Sequence, residues 1–146
     1  MSKKANHNNA FNIKLCIKQL QMKRDVLYRG KLSDKDEWHY GHYYNNKNEK
    51  ANVDIIVSFF EKKTQYFPVS KNFLWEFTGE LDINKVRIFE GDIVQCDCGI
   101  GKVIFTKGSF FIEWIKLFNN RAKITELLYS KIKEVKVISD VHTYKP

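Results

Sequence analysis

The chain has 146 residues, 43% of them hydrophobic and 14% aromatic, enough apolar surface for one packed core and too short for two comfortable independent ones. It contains no run of about 18 apolar residues and no charged, apolar, small-residue leader pattern, and its three cysteines leave one over in any disulfide scheme, so a spanning helix and a secreted disulfide scaffold are not expected and a reducing cytoplasm fits. The formal net charge of +8 favours polyanions or acidic protein surfaces as partners, although only four of the 25 basic residues are arginine and a Lys-, Asn- and Ile-rich sequence accounts for part of that charge by composition alone.

Residues 1–25 read as a basic N-terminal extension, with Lys3, Lys4 and His7 in a polar start and Phe11, Ile13, Leu15 and Ile17 alternating as an added strand, a helix over Ala10 to Arg24 being the competing pattern. Residues 26–146 form the main domain. Val26 to Leu32 and Glu37 to Tyr44 are two apolar and aromatic runs around Ser33-Asp34-Lys35-Asp36, which predicts a hairpin, and Gly41 in its second arm marks a bulge or a close backbone approach. Asn45 to Lys50 has no core residue and is expected to be an exposed loop. Val53 to Phe60 reads as a strand, Glu61 to Thr64 as a charged turn, Tyr66 to Val69 as a run that Pro68 places at a sheet edge or a bend, and Phe73 to Phe77 as a run leading into Thr78-Gly79.

From Phe89 to Trp114 the pattern is a three-strand meander. Glu90-Gly91-Asp92 is a turn, Ile93 to Cys98 a strand, Gly99 and Gly101 a turn, Lys102 to Thr106 a strand, Lys107-Gly108-Ser109 a turn and Phe110 to Ile115 a strand. Alternation places Val94, Cys96, Cys98, Val103, Phe105, Phe110, Ile112 and Trp114 on a buried side. Ala122 to Lys131 has helical spacing at Ile124, Leu127, Leu128 and Lys131, and Val135 to Val141 alternates as a closing strand. The fold class is therefore mainly β, of antiparallel strands with one or two short helices.

Several stretches resemble the YopX family of bacteriophage and prophage proteins: Tyr28-Arg29-Gly30-Lys31, Trp38-His39-Tyr40-Gly41, Phe77 to Asp82, Ile88 to Val94, Gly101 to Phe105 and Val137 to Val141. The resemblance runs from about Val26 to the C-terminus. It implies a phage-encoded protein of the bacterial cytoplasm whose C-terminal part is a small SH3-like barrel, and it brings no established activity. Family members commonly have a glycine-containing turn where this chain has Ile83-Asn84-Lys85-Val86.

Four constellations carry possible chemistry. Cys96-Asp97-Cys98 with Cys16 and His142 is a zinc ligand set, or a pair of buried structural cysteines. His39 and His42 near Glu37 are an acid-base group, or sheet-surface residues. Gly99-Ile100-Gly101-Lys102 lacks the spacing and the following helix of a phosphate loop and reads as a hairpin turn. Basic residues interleaved with aromatics, namely Lys14, Lys18, Lys23, Arg24, Arg29, Lys31, Trp38, Tyr40, Tyr43 and Tyr44, form a candidate binding surface, or supply the core. No catalytic, cofactor or metal signature stands above these alternatives. The expectation is a non-catalytic accessory protein without a cofactor or membrane association, binding a host bacterial protein or, alternatively, DNA or RNA with little sequence preference. The N-terminal extension offers a strand for homo-oligomer formation.

Overall fold

A computed structural model describes residues 26–33, 35–48, 51–60, 63–118 and 125–146. The first sheet contains β1 (Tyr28–Gly30), β2 (His39–Asn48), β3 (Ala51–Phe60), β4 (Lys63–Val69), β5 (Leu74–Leu81) and β6 (Arg87–Phe89), in the spatial order β4-β3-β2-β1-β5-β6. The second contains β7 (Asp92–Cys96), β8 (Gly99–Thr106), β9 (Ser109–Leu117), β10 (Thr125–Leu127) and β11 (Lys136–Asp140), in the order β10-β9-β8-β7-β11. All these pairings are antiparallel. One helical turn, α1 (Leu128–Lys131), lies between β10 and β11. No helix among the described residues is long and apolar enough to cross a membrane.

The meander forms as its alternation predicts, because short antiparallel strands joined by tight turns need only local pairing. Ile88, Val94, Cys96, Val103, Phe110, Ile112 and Trp114 make one core cluster, closed from the other side by Leu128 and Val135. Lys107 and Gly108 both have positive φ, the mirror-image turn that matches strand twist. Phe105, expected in the core, is 46% exposed at the hairpin end and rests on Phe110.

The turn between β7 and β8 is Asp97-Cys98 and not the glycine pair. Gly99 and Gly101 lie within β8, and a Cβ on Gly101 would sit 2.3 Å from Ile112 Cγ2. These glycines allow β9 to approach and do not turn the chain. The helix expected over Ala122 to Lys131 is reduced to α1, because Thr125–Leu127 instead pairs with the free edge of β9, Glu126 facing Ile112. Residues 119–124 lie outside the described residues. β10 and β11 stand at opposite ends of the second sheet with no ladder between them among the described residues, so the pairings do not draw the closed SH3-like barrel that the resemblance implies.

In the first sheet the predicted hairpin of β1 and β2 is present, and Pro68 lies in the edge strand β4, facing Ile55. β2 changes partner at Gly41, pairing with β1 through residues 39–41 and with β3 from His42 onward. A Cβ on Gly41 would lie 2.2 Å from the Val57 carbonyl oxygen, the close approach expected there. Asn45–Asn48, expected in a loop, extends β2 against β3, and Lys63 and Thr64, expected in a turn, begin β4. Polar residues continue a strand when cross-strand amides satisfy the backbone, and Asn45 is further fixed by its bond to Asp54. The strand or helix expected over residues 10–24 lies outside the described residues.

Candidate functional site

The sheets meet at the Glu90-Gly91-Asp92 turn, where an ion pair crosses between them. Arg29, from β1, donates through Nη2 to Oδ1 of Asp92, the first residue of β7; the two residues are 7% and 1% exposed. Oδ2 of Asp92 accepts the Phe89 amide at 2.8 Å. The guanidinium carbon lies 4.6 Å from the Trp38 ring centre, 4.8 Å from Trp75 and 4.7 Å from Phe89. Three aromatic faces thus enclose the cation, which offsets part of the loss of water. Nε of Arg29 has no hydrogen-bond partner among the described residues.

Burial pushes the Asp92 carboxyl up to about 6, against the opposing pull of Arg29 and of the Phe89 amide. Gly91 has φ +77, and a Cβ there would lie 2.8 Å from the Trp75 ring, so the turn needs glycine for both conformation and space. Around this centre, Lys31 is 3% exposed with Nζ 4.6 Å from the Trp38 ring centre and 5.2 Å from Phe73. His142 stacks on Trp75 at 5.2 Å, and its Nε2 lies 3.0 Å from the Asn72 carbonyl oxygen.

The other feature is a solvent-facing aromatic surface. Register places His42, Val57 and Tyr66 on one face of β2–β3–β4, in line with Tyr44, Ile55 and Pro68 and with Phe59. Tyr44 is 56% exposed, Phe59 70% and Tyr66 65%, with Tyr40 at 43% on the same side. On the reverse face Tyr43 donates to Asp54 Oδ1 at 2.6 Å, which Asn45 also reaches at 2.7 Å. The bond to Asp54 raises the Tyr43 phenol. Burial alone would raise Asp54, but the bonds from Tyr43 and Asn45, with Lys71 and Lys47 nearby, hold it below its ordinary value.

The YopX protein family model matches residues 27–144, most of the chain. The chain belongs to the YopX family. A search of the curated proteins returned no match. The stretches that carry the YopX likeness meet in space. Arg29, Lys31, Trp38, Phe89 and Asp92 build the clamp, and Asp82 builds a second one. Its Oδ1 accepts the amides of Asn84 at 2.7 Å and Val86 at 2.9 Å, and its Oδ2 accepts that of Val137 in β11 at 2.9 Å. Both clamps join the two sheets.

The structure separates the candidate residues read from the sequence. Arg29, Lys31 and Trp38 belong to the clamp, Tyr40 and Tyr44 to the exposed face, and Tyr43 to the reverse face, while Lys14, Lys18, Lys23 and Arg24 lie outside the described residues. His39 stacks on Phe67 on the reverse face and His42 approaches Phe59 on the exposed one, so the two imidazoles point apart. They are an odd number of positions apart in a strand, which separates their faces. Cys96 and Cys98 are joined by a disulfide, His142 is stacked on Trp75, and Cys16 lies outside the described residues. No group of three or more potential metal ligands occurs among the described residues. Sequence reasoning named neither Asp92 nor Trp75 as a site residue, and it omitted Phe59 and Tyr66 from the surface. A carboxylate entering an apolar strand after Glu-Gly was the available signal for Asp92; the aromatics needed the strand register.

Proposed function

We propose that this protein is a non-catalytic accessory factor of phage or prophage type that acts in the bacterial cytoplasm by binding a host protein, with inhibition of that protein as the consequence. The observation that carries this reading is the exposed aromatic face of β2–β3–β4, centred on Tyr44, Phe59 and Tyr66. Large aromatic side chains left in water supply the anchors that dominate protein interfaces. β4 adds an edge with no further strand paired to it among the described residues, a place where a partner segment can extend the sheet.

The test is affinity capture from host lysate at moderate salt with the full chain and with a Tyr44→Thr/Phe59→Thr/Tyr66→Thr variant, each with and without nuclease. The expected result is one host protein held at stoichiometric yield by the parent chain, resistant to nuclease and lost by the variant at unchanged thermal stability. Equal capture by both chains overturns the assignment to this face.

A second reading, nucleic-acid binding with little sequence preference, is favoured by the net charge of +8 and by the exposed tyrosine faces, on which bases can stack. It requires affinity for single-stranded DNA or RNA that falls steeply with salt. Recovery that collapses with nuclease selects it over protein binding.

A further inference from the structure

Cys96 and Cys98 are separated by one residue and joined by a disulfide. Within a continuous strand their Cα atoms would stand about 6.7 Å apart. β7 instead ends at Cys96 and the chain turns through Asp97-Cys98, which brings the Cα atoms to 5.3 Å, inside the range that a disulfide spans. A bond closing so small a loop removes little freedom from the unfolded chain, and Cys96 lies in a core cluster built mainly of residues outside that loop. The bond therefore has little structural purpose.

One backbone donor faces the Cys96 sulfur. The Cys98 amide donates to Cys96 Sγ at 3.3 Å. A cleft of about 340 Å³ opens beside Cys96, and Lys136 lines it together with Asp97, Glu134 and Phe118. Cys98 is partly buried at the cluster margin, whereas Cys96 is 7% exposed.

We propose that the Cys96–Cys98 pair is a thiol–disulfide exchange site whose co-substrate is a low-molecular-weight thiol of the glutathione class. The incoming thiolate attacks Cys98 Sγ, which belongs to the less buried of the two residues. The Cys96–Cys98 bond breaks, its electron pair passes to Cys96 Sγ, and a mixed disulfide forms on Cys98. The Cys98 amide, which already donates to Cys96 Sγ, stabilises the departing Cys96 thiolate. A second thiolate attacks the small-molecule sulfur of the mixed disulfide and releases Cys98. Two thiols are thereby oxidised to one disulfide, the protein disulfide is reduced by two electrons, and the two thiol protons end on Cys96 and Cys98.

The experiment equilibrates the full chain in buffers of reduced and oxidised glutathione, quenches by alkylation and reads each cysteine by peptide mass spectrometry, which distinguishes Cys16 from the pair. The expected result is a pair opened by millimolar reduced glutathione and closed again by oxidised glutathione. A bond that survives a hundredfold excess of reduced glutathione, or a pair that stays open in excess oxidised glutathione, overturns the proposal. The Cys96→Ser variant should collect the glutathione adduct on Cys98 at least tenfold faster than Cys98→Ser collects it on Cys96. Equal or reversed rates overturn the assigned order of attack.

Discussion

In the five-stranded sheet, Val94, Val103, Ile112 and Trp114 project inward from three successive strands and meet Leu128 and Val135. The six-stranded sheet counts Arg29, Lys31, Asp54 and Thr78 among its buried residues and holds them by directed bonds and ring contacts. Apolar packing tolerates small displacements, because dispersion and hydrophobic burial have no preferred direction. A buried ion pair does not, since each charge left without its partner is costly. The first sheet should therefore fail through single polar atoms and the second through lost volume.

The sharpest way to break this contrast is Asp92→Ala, which leaves Arg29 buried among three rings without a counter-charge and the Phe89 amide without its acceptor. Denaturant melts should show a loss of about 4 kcal/mol. Arg29→Met combined with Asp92→Asn removes the charge and keeps an acceptor for Phe89, so the double variant should be more stable than Asp92→Ala. If it is not, the clamp acts through shape and the contrast between the sheets is lost.

In the second sheet Ile112→Ala empties a fully buried position facing Val103 and should cost about 3 kcal/mol. Ile112→Val should cost only about 1 kcal/mol, the graded response of apolar packing. An equally large loss for both substitutions would show that this sheet too depends on directed fit.

The same contrast explains what could be read from the sequence. Val94, Ile112 and Trp114 announced their faces because meander strands pair with sequence neighbours, so alternation and turn residues suffice. Arg29 and Asp92 lie 63 positions apart, and nothing local in either stretch names the other. The β1–β5 ladder, which seats Arg29 opposite Trp75, joins stretches separated by the whole β2–β4 arm. The aromatic surface divided for a related reason: Tyr43 and Tyr44 are adjacent and so face opposite ways, a consequence visible once the strand is granted. Phe59 and Tyr66 join Tyr44 only through the β3 and β4 registers. The helix over Ala122 to Lys131 failed where the open edge of β9 outweighed helical spacing, and the bond between Cys96 and Cys98 was hidden because the strand was expected to continue through both.

Acid gives a gentler probe of the clamp. Asp92 titrates near 6 in the fold against 3.8 as its ordinary value, so the folded chain binds the extra proton between those pH values. Stability from this group is greatest below about 4, falls as pH rises to about 6 and is level above that, a change of at most about 3 kcal/mol. Asp54 is displaced the other way, and its contribution is lost only as pH falls below the ordinary carboxylate range. Melts of the parent and of Asp92→Asn between pH 4 and 7 should differ in slope, with the fall absent from the variant.

The smallest expected effect compares one turn from each region. Lys85, after β5, has φ 66 in the turn held by Asp82, and Lys107, between β8 and β9, has φ 51. A side chain in this left-handed conformation crowds its own carbonyl, which glycine avoids, while glycine also frees the unfolded chain and gives back part of the gain. Lys85→Gly should therefore raise stability by about 0.5 kcal/mol, read as a higher denaturant midpoint at unchanged slope. Lys107→Gly should gain a similar amount if backbone strain is all that the two turns share. A loss at Lys85 with a gain at Lys107 would mean that the stiffness of the Asp82 turn is part of what holds β11 against the first sheet, placing a second point of directed dependence at the junction.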